Sequence, residues 1–301
     1  MTRRWIVDGL GEAAFERLAT ELPGTELSSV LLEVMRRRAA ARTPAEVLGQ
    51  YQRDGFCRPA ASDQRVSVAL DGHLLAAAEG FEAIELSPVA PLAACSSVAP
   101  TAQNRVLSAL RGTEIVADPT NVLALECAVR LRAGRAPVHL ATSQRVIRAQ
   151  PVPRLPGYAP HFRIFVLASG GIEAQGHAFT ASALEHHVRT MLAALDRLEG
   201  HGYAFGARHV DLLATEPRAQ LADRIAAALG DVAVHRKRLE HPYDSGGLRY
   251  MLWVTAPDGA EVPLVDGGAF YWLARLAANR RAVYVASGAG AQLMAFRFRV
   301  G

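Results

Sequence analysis

Lysine is nearly missing from this 301-residue chain: Lys237 is the sole lysine among 33 basic residues. The basicity, a net +4 against 29 acidic residues, is carried by dispersed arginines. Such a uniform bias does not mark a nucleic-acid surface, and neither a basic tail nor an aromatic-basic platform is present, so tRNA is not expected as a partner. Cysteine is scarce too. Cys57, Cys95 and Cys127 are far apart, odd in number and free of any CxxC spacing. That excludes a disulfide framework and a zinc knuckle, and points to reduced thiols in the cytoplasm. No uncharged apolar run reaches the roughly 18 residues a membrane span needs. The start, MTRRWIVDGLGEAAF, lacks the apolar stretch of a signal peptide. The absence of a Gly-X-Y period, a sustained heptad or an internal repeat excludes collagen-like and coiled-coil chains. GxSxG and HExxH are missing as well, so no nucleophile elbow and no metal site are read.

What is present is a large apolar fraction, 50%, with 21% charged residues. This suffices for a substantial core, in one large domain or two small ones. Residues 1–61 read as a helical extension. Ala14, Phe15, Leu18 and Leu22 recur at helical spacing up to Pro23-Gly24. A second helix over 26–41 places Leu27, Val30, Leu31 and Val34 on one side and ends in Arg36, Arg37 and Arg38, cations suited to a helix C-terminus. Thr43-Pro44-Ala45-Glu46 is a capping-box start for a third. Residues 62–301 alternate helices and strands. A helix over 62–80 precedes the strand Phe81–Leu86. Strand Thr113–Ala117 leads to a helix capped by Thr120 or Asn121. Strands 137–148 and 161–168 flank the proline-rich loop QPVPRLPGYAP. A helix over 181–198, strand 209–214, helix 220–229, strands 248–255 and 262–265, helix 269–278 and strand 282–286 complete the chain. The expected fold class is α+β, a mostly antiparallel sheet flanked by helices.

The order of these pieces resembles the catalytic core of class II aminoacyl-tRNA synthetases, the histidyl branch above all. That branch includes paralogues without an anticodon-binding domain, such as the regulatory subunit of ATP phosphoribosyltransferase. FEAIELSPVAPL, with Ile84 and Pro88, resembles the first motif, which pairs across a two-fold axis, so a homodimer is implied. QRVIRAQ, a loop and HFRIF resemble the second motif. GLRYMLWV resembles the histidyl signature region. PLVDGGAFYWLARL resembles the paired-glycine turn with its helix, and AVYVASGAGAQLM the third motif.

The resemblance implies a site for ATP, with Mg, and for an amino acid or other small carboxylate. Adenylate chemistry holds like charges together, a task for arginines that grip phosphate and carboxylate in two-pronged fashion. Arg148 takes the place of the second-motif arginine and is the expected catalytic residue. Gln150, Arg163 and Phe165 fall on the nucleotide side, with Gly288, Gly290 and Gln292 from the third motif. Asp118, Thr120, Arg249 and Tyr250 fall near the amino-acid pocket. The departures are equally specific. Gln292 and Leu293 stand where an active synthetase ends its third motif in arginine. Gly246 and Arg249 stand where the histidyl signature has an arginine and an acid, so an anionic ligand is expected and ordinary histidyl-tRNA formation is not. Two functions follow: ATP-dependent activation of a carboxylate for a non-tRNA acceptor, or ligand sensing by a regulatory protein that binds a partner enzyme. Among the remaining residues, His186-His187 reads as a solvated or half-buried pair, Cys127 as a core thiol, and His139 and His161 as structural.

Overall fold

A computed structural model describes residues 7–241 and 243–300. Helices α1 (Glu12–Glu16), α2 (Gly24–Ala40) and α3 (Pro44–Arg53) form the N-terminal part. The Thr43–Glu46 capping box is made: the Glu46 N–H donates to Thr43 Oγ1 and the Thr43 N–H to Glu46 Oε2. None of the three helices buries a residue, and Val30 and Val34 are exposed, so the apolar side of α2 meets no core among the described residues.

From α4 (Gln64–Ala77) onward the chain builds one large sheet. Its strands are β1 (Glu82–Ala83), β5 (Val138–Ile147), β6 (His161–Ile172), β7 (Arg208–Ala214), β8 (Val234–Arg238), β9 (Leu248–Thr255), β10 (Glu261–Phe270) and β11 (Ala282–Ala289). They lie in the order β1-β5-β6-β11-β10-β9-β7-β8. The six inner strands from β5 to β7 pair antiparallel, while β1 and β8 join the two edges in parallel. Helices α5 (Pro119–Arg132), α6 (Ala178–Glu199), α7 (Ala219–Ala228), α8 (Trp272–Leu276) and α9 (Ala291–Arg297) cover its faces. Side chains alternate across the sheet, which therefore has two apolar faces. One packs Leu70 and Leu74 of α4, Leu184 and Met191 of α6 and Leu221 of α7; the other packs Leu123 and Cys127 of α5 with Trp272 and Leu273 of α8.

Several local readings need correction. Asp118, not Thr120 or Asn121, caps α5. Pro119 fits the first helical position, and Asp118 Oδ1 accepts from the Thr120 N–H at 3.0 Å. The strand 81–86 shrinks to the two residues of β1. The paired glycines Gly267 and Gly268 lie inside β10 rather than at a turn, so the strand runs on to Phe270 and delays the helix to Trp272. His139 Nδ1 lies 2.7 Å from Ser169 Oγ and His161 Nε2 lies 2.8 Å from the Arg58 carbonyl, in keeping with their structural reading. His187 is fully buried between two hydroxyls, with Ser169 Oγ at 2.9 Å and Ser287 Oγ at 2.8 Å.

A three-stranded sheet of β2 (Val89–Pro91), β4 (Thr113–Ile115) and β3 (Ser108–Ala109) borders the same region. It is organised around Glu114, a buried carboxylate that accepts from the N–H groups of Ala93 (2.8 Å) and Cys95 (2.9 Å) and from Gln103 Nε2 (2.7 Å). Glu114→Ala leaves these buried donors unmatched and is expected to cost about 2 kcal/mol, read as a lower denaturant midpoint.

Candidate functional site

A cavity of about 460 Å³ opens between the segment 95–106, the start of α5 and the centre of the large sheet. That lies within the range of roughly 300–1,000 Å³ usual for small-molecule sites. Of the residues expected from sequence, Asp118, Thr120, Arg148, Gln150, Arg249 and Gly288 line it.

Arg148 follows β5 directly. Its Nε donates to the Ala117 carbonyl at 2.9 Å, and its guanidinium lies 5.1 Å over the Phe162 ring. The contact to Asp118 Oδ2 is looser, 3.6 Å from Arg148 Nη2. Asp118 is thus shared: Oδ1 caps α5 and Oδ2 faces Arg148. The terminal nitrogens of Arg148 therefore keep donors for an incoming anion.

Arg249 is differently placed. Its Nε and Nη2 donate to Asp266 Oδ1 and Oδ2 at 2.9 and 2.7 Å, a two-pronged pair across β9 and β10. Arg249 consequently does not make the pocket anion-seeking, contrary to expectation, because Asp266 already neutralises it. Asp244 adds a further acid. It is buried, and its nearest cation contact is Arg249 Nε at 3.9 Å. Burial, reinforced by the neighbouring Asp266 and opposed by Arg249, raises the Asp244 carboxyl to about 7. Gly268 makes this placement sterically feasible, since a Cβ there would sit 2.8 Å from Asp244 Oδ1 and 2.6 Å from the Leu248 carbonyl.

Tyr243 completes the wall, edge-on to Phe270 and Trp272 at 5.7 and 5.5 Å between ring centroids. Burial, with Asp118 nearby, pushes its phenol far above the ordinary range, so it stays protonated. Cys95 is a poor nucleophile: burial raises its thiol to about 11, and its Sγ takes Asn121 Nδ2 at 3.0 Å.

Five expected site residues lie elsewhere. Arg163 and Phe165 point to the opposite face of β6, where Arg163 Nε meets Asp71 Oδ2 at 2.6 Å and Phe165 enters the core beside α4 and α6. Tyr250 follows Arg249 on one strand and so faces away, fully buried in that same core. Gln292 donates to the Gly157 carbonyl at 3.0 Å and ties down the proline-rich loop. Gly290 begins α9 against Leu293. Among the cavity residues that sequence reasoning missed are Arg105, Tyr243, Asp244 and Asp266, and on β6 it is Ile164, on the face opposite Phe165, that lines the cavity.

No protein-family model matches the sequence, and neither does any curated protein. Solved structures do match, and they show that the chain has the fold of class II aminoacyl-tRNA synthetase catalytic cores. Within that class the likeness extends to histidyl-type proteins. A histidine–tRNA ligase subunit from Alicyclobacillus acidocaldarius superposes with a TM-score of 0.62 at 15% identity, over 80% of this chain and 95% of that one. An ATP phosphoribosyltransferase regulatory subunit/histidyl-tRNA synthetase from Bacillus halodurans gives 0.57 at 15%, over 77% and 78%. Histidyl-tRNA synthetase from Nostoc sp. PCC 7120 gives 0.55 at 12%, over 79% and 73%. Among the described residues no helix is long and apolar enough to cross a membrane.

Proposed function

We propose that the cavity binds a small zwitterion, an amino acid or a close analogue, and that the chain is a ligand-sensing paralogue of the synthetase core. One observation carries this reading. The same cavity holds an arginine and a buried aspartate, Arg148 and Asp244, that each lack a close partner of opposite charge, whereas Arg249 and Asp266 saturate one another. Arg148 receives the carboxylate and Asp244 the ammonium.

The residues present do not fit a nucleoside triphosphate. Arg249 is spent on Asp266, and Gln292 is turned to the Gly157 carbonyl. That leaves Arg148 and Arg105 as the cavity arginines without a close carboxylate among the described residues. Activation of a carboxylate with ATP and Mg for a non-tRNA acceptor is the alternative, supported by Arg148, which stands in the place of the second-motif arginine beside Phe162. The likeness to a protein whose name includes a regulatory subunit supports a partner enzyme, and the class supports a homodimer.

A thermal-shift screen of the standard amino acids and short carboxylates tests the proposal. At least one amino acid is expected to raise the melting temperature, since a ligand at 100 times its Kd adds about 2.7 kcal/mol. A panel without a single shift would refute zwitterion binding. Ligand-dependent exchange of pyrophosphate into ATP would replace sensing by activation.

A further inference from the structure

The outer edge of the large sheet carries a cluster that the cavity does not use. We propose that His209, Asp211 and His235 form a site for one divalent transition-metal ion of the zinc type. His209 and Asp211 are two apart on β7 and share a face, and the parallel register of β7 with β8 sets His235 opposite Asp211. One ligand atom from each residue lies within 4.8 Å of the others.

The independent sign of a ligand is Asp211 itself. Its side chain is 4% exposed, yet Oδ1 has no hydrogen-bond partner. That oxygen faces His235 Nδ1 at 3.6 Å and His209 Nε2 at 3.9 Å. Lys237 Nζ holds the other oxygen, Oδ2, at 2.6 Å. The lysine thus fixes the carboxylate and leaves Oδ1 as a single donor aimed between two imidazoles. Metal bonds of about 2.0–2.2 Å draw such a trio together after small side-chain rotations. Two imidazoles and a carboxylate are a donor set suited to zinc-like ions rather than calcium or magnesium.

The surroundings match. His209 Nδ1, the nitrogen turned away from Asp211, has Glu261 Oε1 at 3.9 Å, the position of a carboxylate that orients a ligating histidine. The His209 ring lies nearly parallel to Trp253, 7° between planes, and its centroid is 4.6 Å from that of His235. The His235 side chain is 57% exposed, so an ion has a path from solvent and room for water as a further ligand.

The test titrates tag-free, chelator-treated full-length protein with Zn²⁺ by calorimetry, and with Co²⁺ followed by its visible absorption. One equivalent is expected to bind, with the cobalt bands of a low-coordinate nitrogen and oxygen site. His235→Ala should weaken zinc at least about 100-fold, the upper limit of what loss of a mere orienting partner costs, and leave metal-free melting unchanged. Asp211→Asn should weaken it comparably. Cys57→Ser, which removes the exposed thiol, should leave binding intact. Absence of a bound equivalent in the unaltered protein overturns the proposal, as does equal zinc affinity in His235→Ala.

Discussion

Arg148→Ala is expected to weaken amino-acid binding about ten- to a hundredfold while the protein still melts cooperatively. The range follows from a charge-assisted hydrogen-bond pair, about 1.5–3 kcal/mol, at roughly tenfold per 1.4 kcal/mol. The fold tolerates the change because Arg148 is partly exposed and its structural bond is a single donation to the Ala117 carbonyl. Asp118 keeps its capping bond through Oδ1. Calorimetry with the best ligand of the screen checks the result. Unchanged affinity would remove Arg148 from the site and leave Arg105 as the carboxylate receptor.

The second large effect is a pH dependence set by Asp244. Its carboxyl is raised to about 7, foremost by burial and then by Asp266. An ammonium ligand prefers the ionised form, so affinity is expected to rise between about pH 6 and 8, at most tenfold per pH unit below the pKa. Asp244→Asn should bind weakly with a flat profile. His241 also borders the cavity, and the variant therefore decides the matter rather than the native profile alone. A profile that kept its slope in Asp244→Asn would remove Asp244 as its source. The same shift bears on stability with a fixed sign. Because the folded value lies above the ordinary carboxylate value of 3.8, the protonated acid favours the folded state at low pH and that advantage is lost as pH rises through about 7.

The fold was legible in large part because its strands and helices have strong local patterns. Thr43 to Glu46 announces α3, and the aromatic and β-branched run His161–Ala168 announces β6. The edge strand β8 was missed because VHRKR carries charge where a strand would show apolar alternation, and most of it is exposed. The site was legible by position but not by face. Motif order picked out Arg148 and Arg249, which both border the cavity, yet it could not say which side of β6 meets it. Arg163 and Phe165 share a face by parity, and that face packs on α4 and α6. Arg249 and Tyr250 are neighbours on a strand, so pairing them in one pocket conflicted with a rule readable from sequence. The acids that balance the arginines were invisible, because Asp244 and Asp266 come together only through the pairing of β9 and β10 and the chain reversal before β9.

Gly268 has a consequence for how such a pocket changes over generations. A side chain at that position and an acid at 244 exclude one another, since a Cβ would fall 2.8 Å from Asp244 Oδ1. The Leu248 carbonyl, 2.6 Å from the same Cβ, excludes a side chain at 268 on its own, so the glycine has to stay while the acid beside it is free to change, and ligand preference can shift without disturbing the strand.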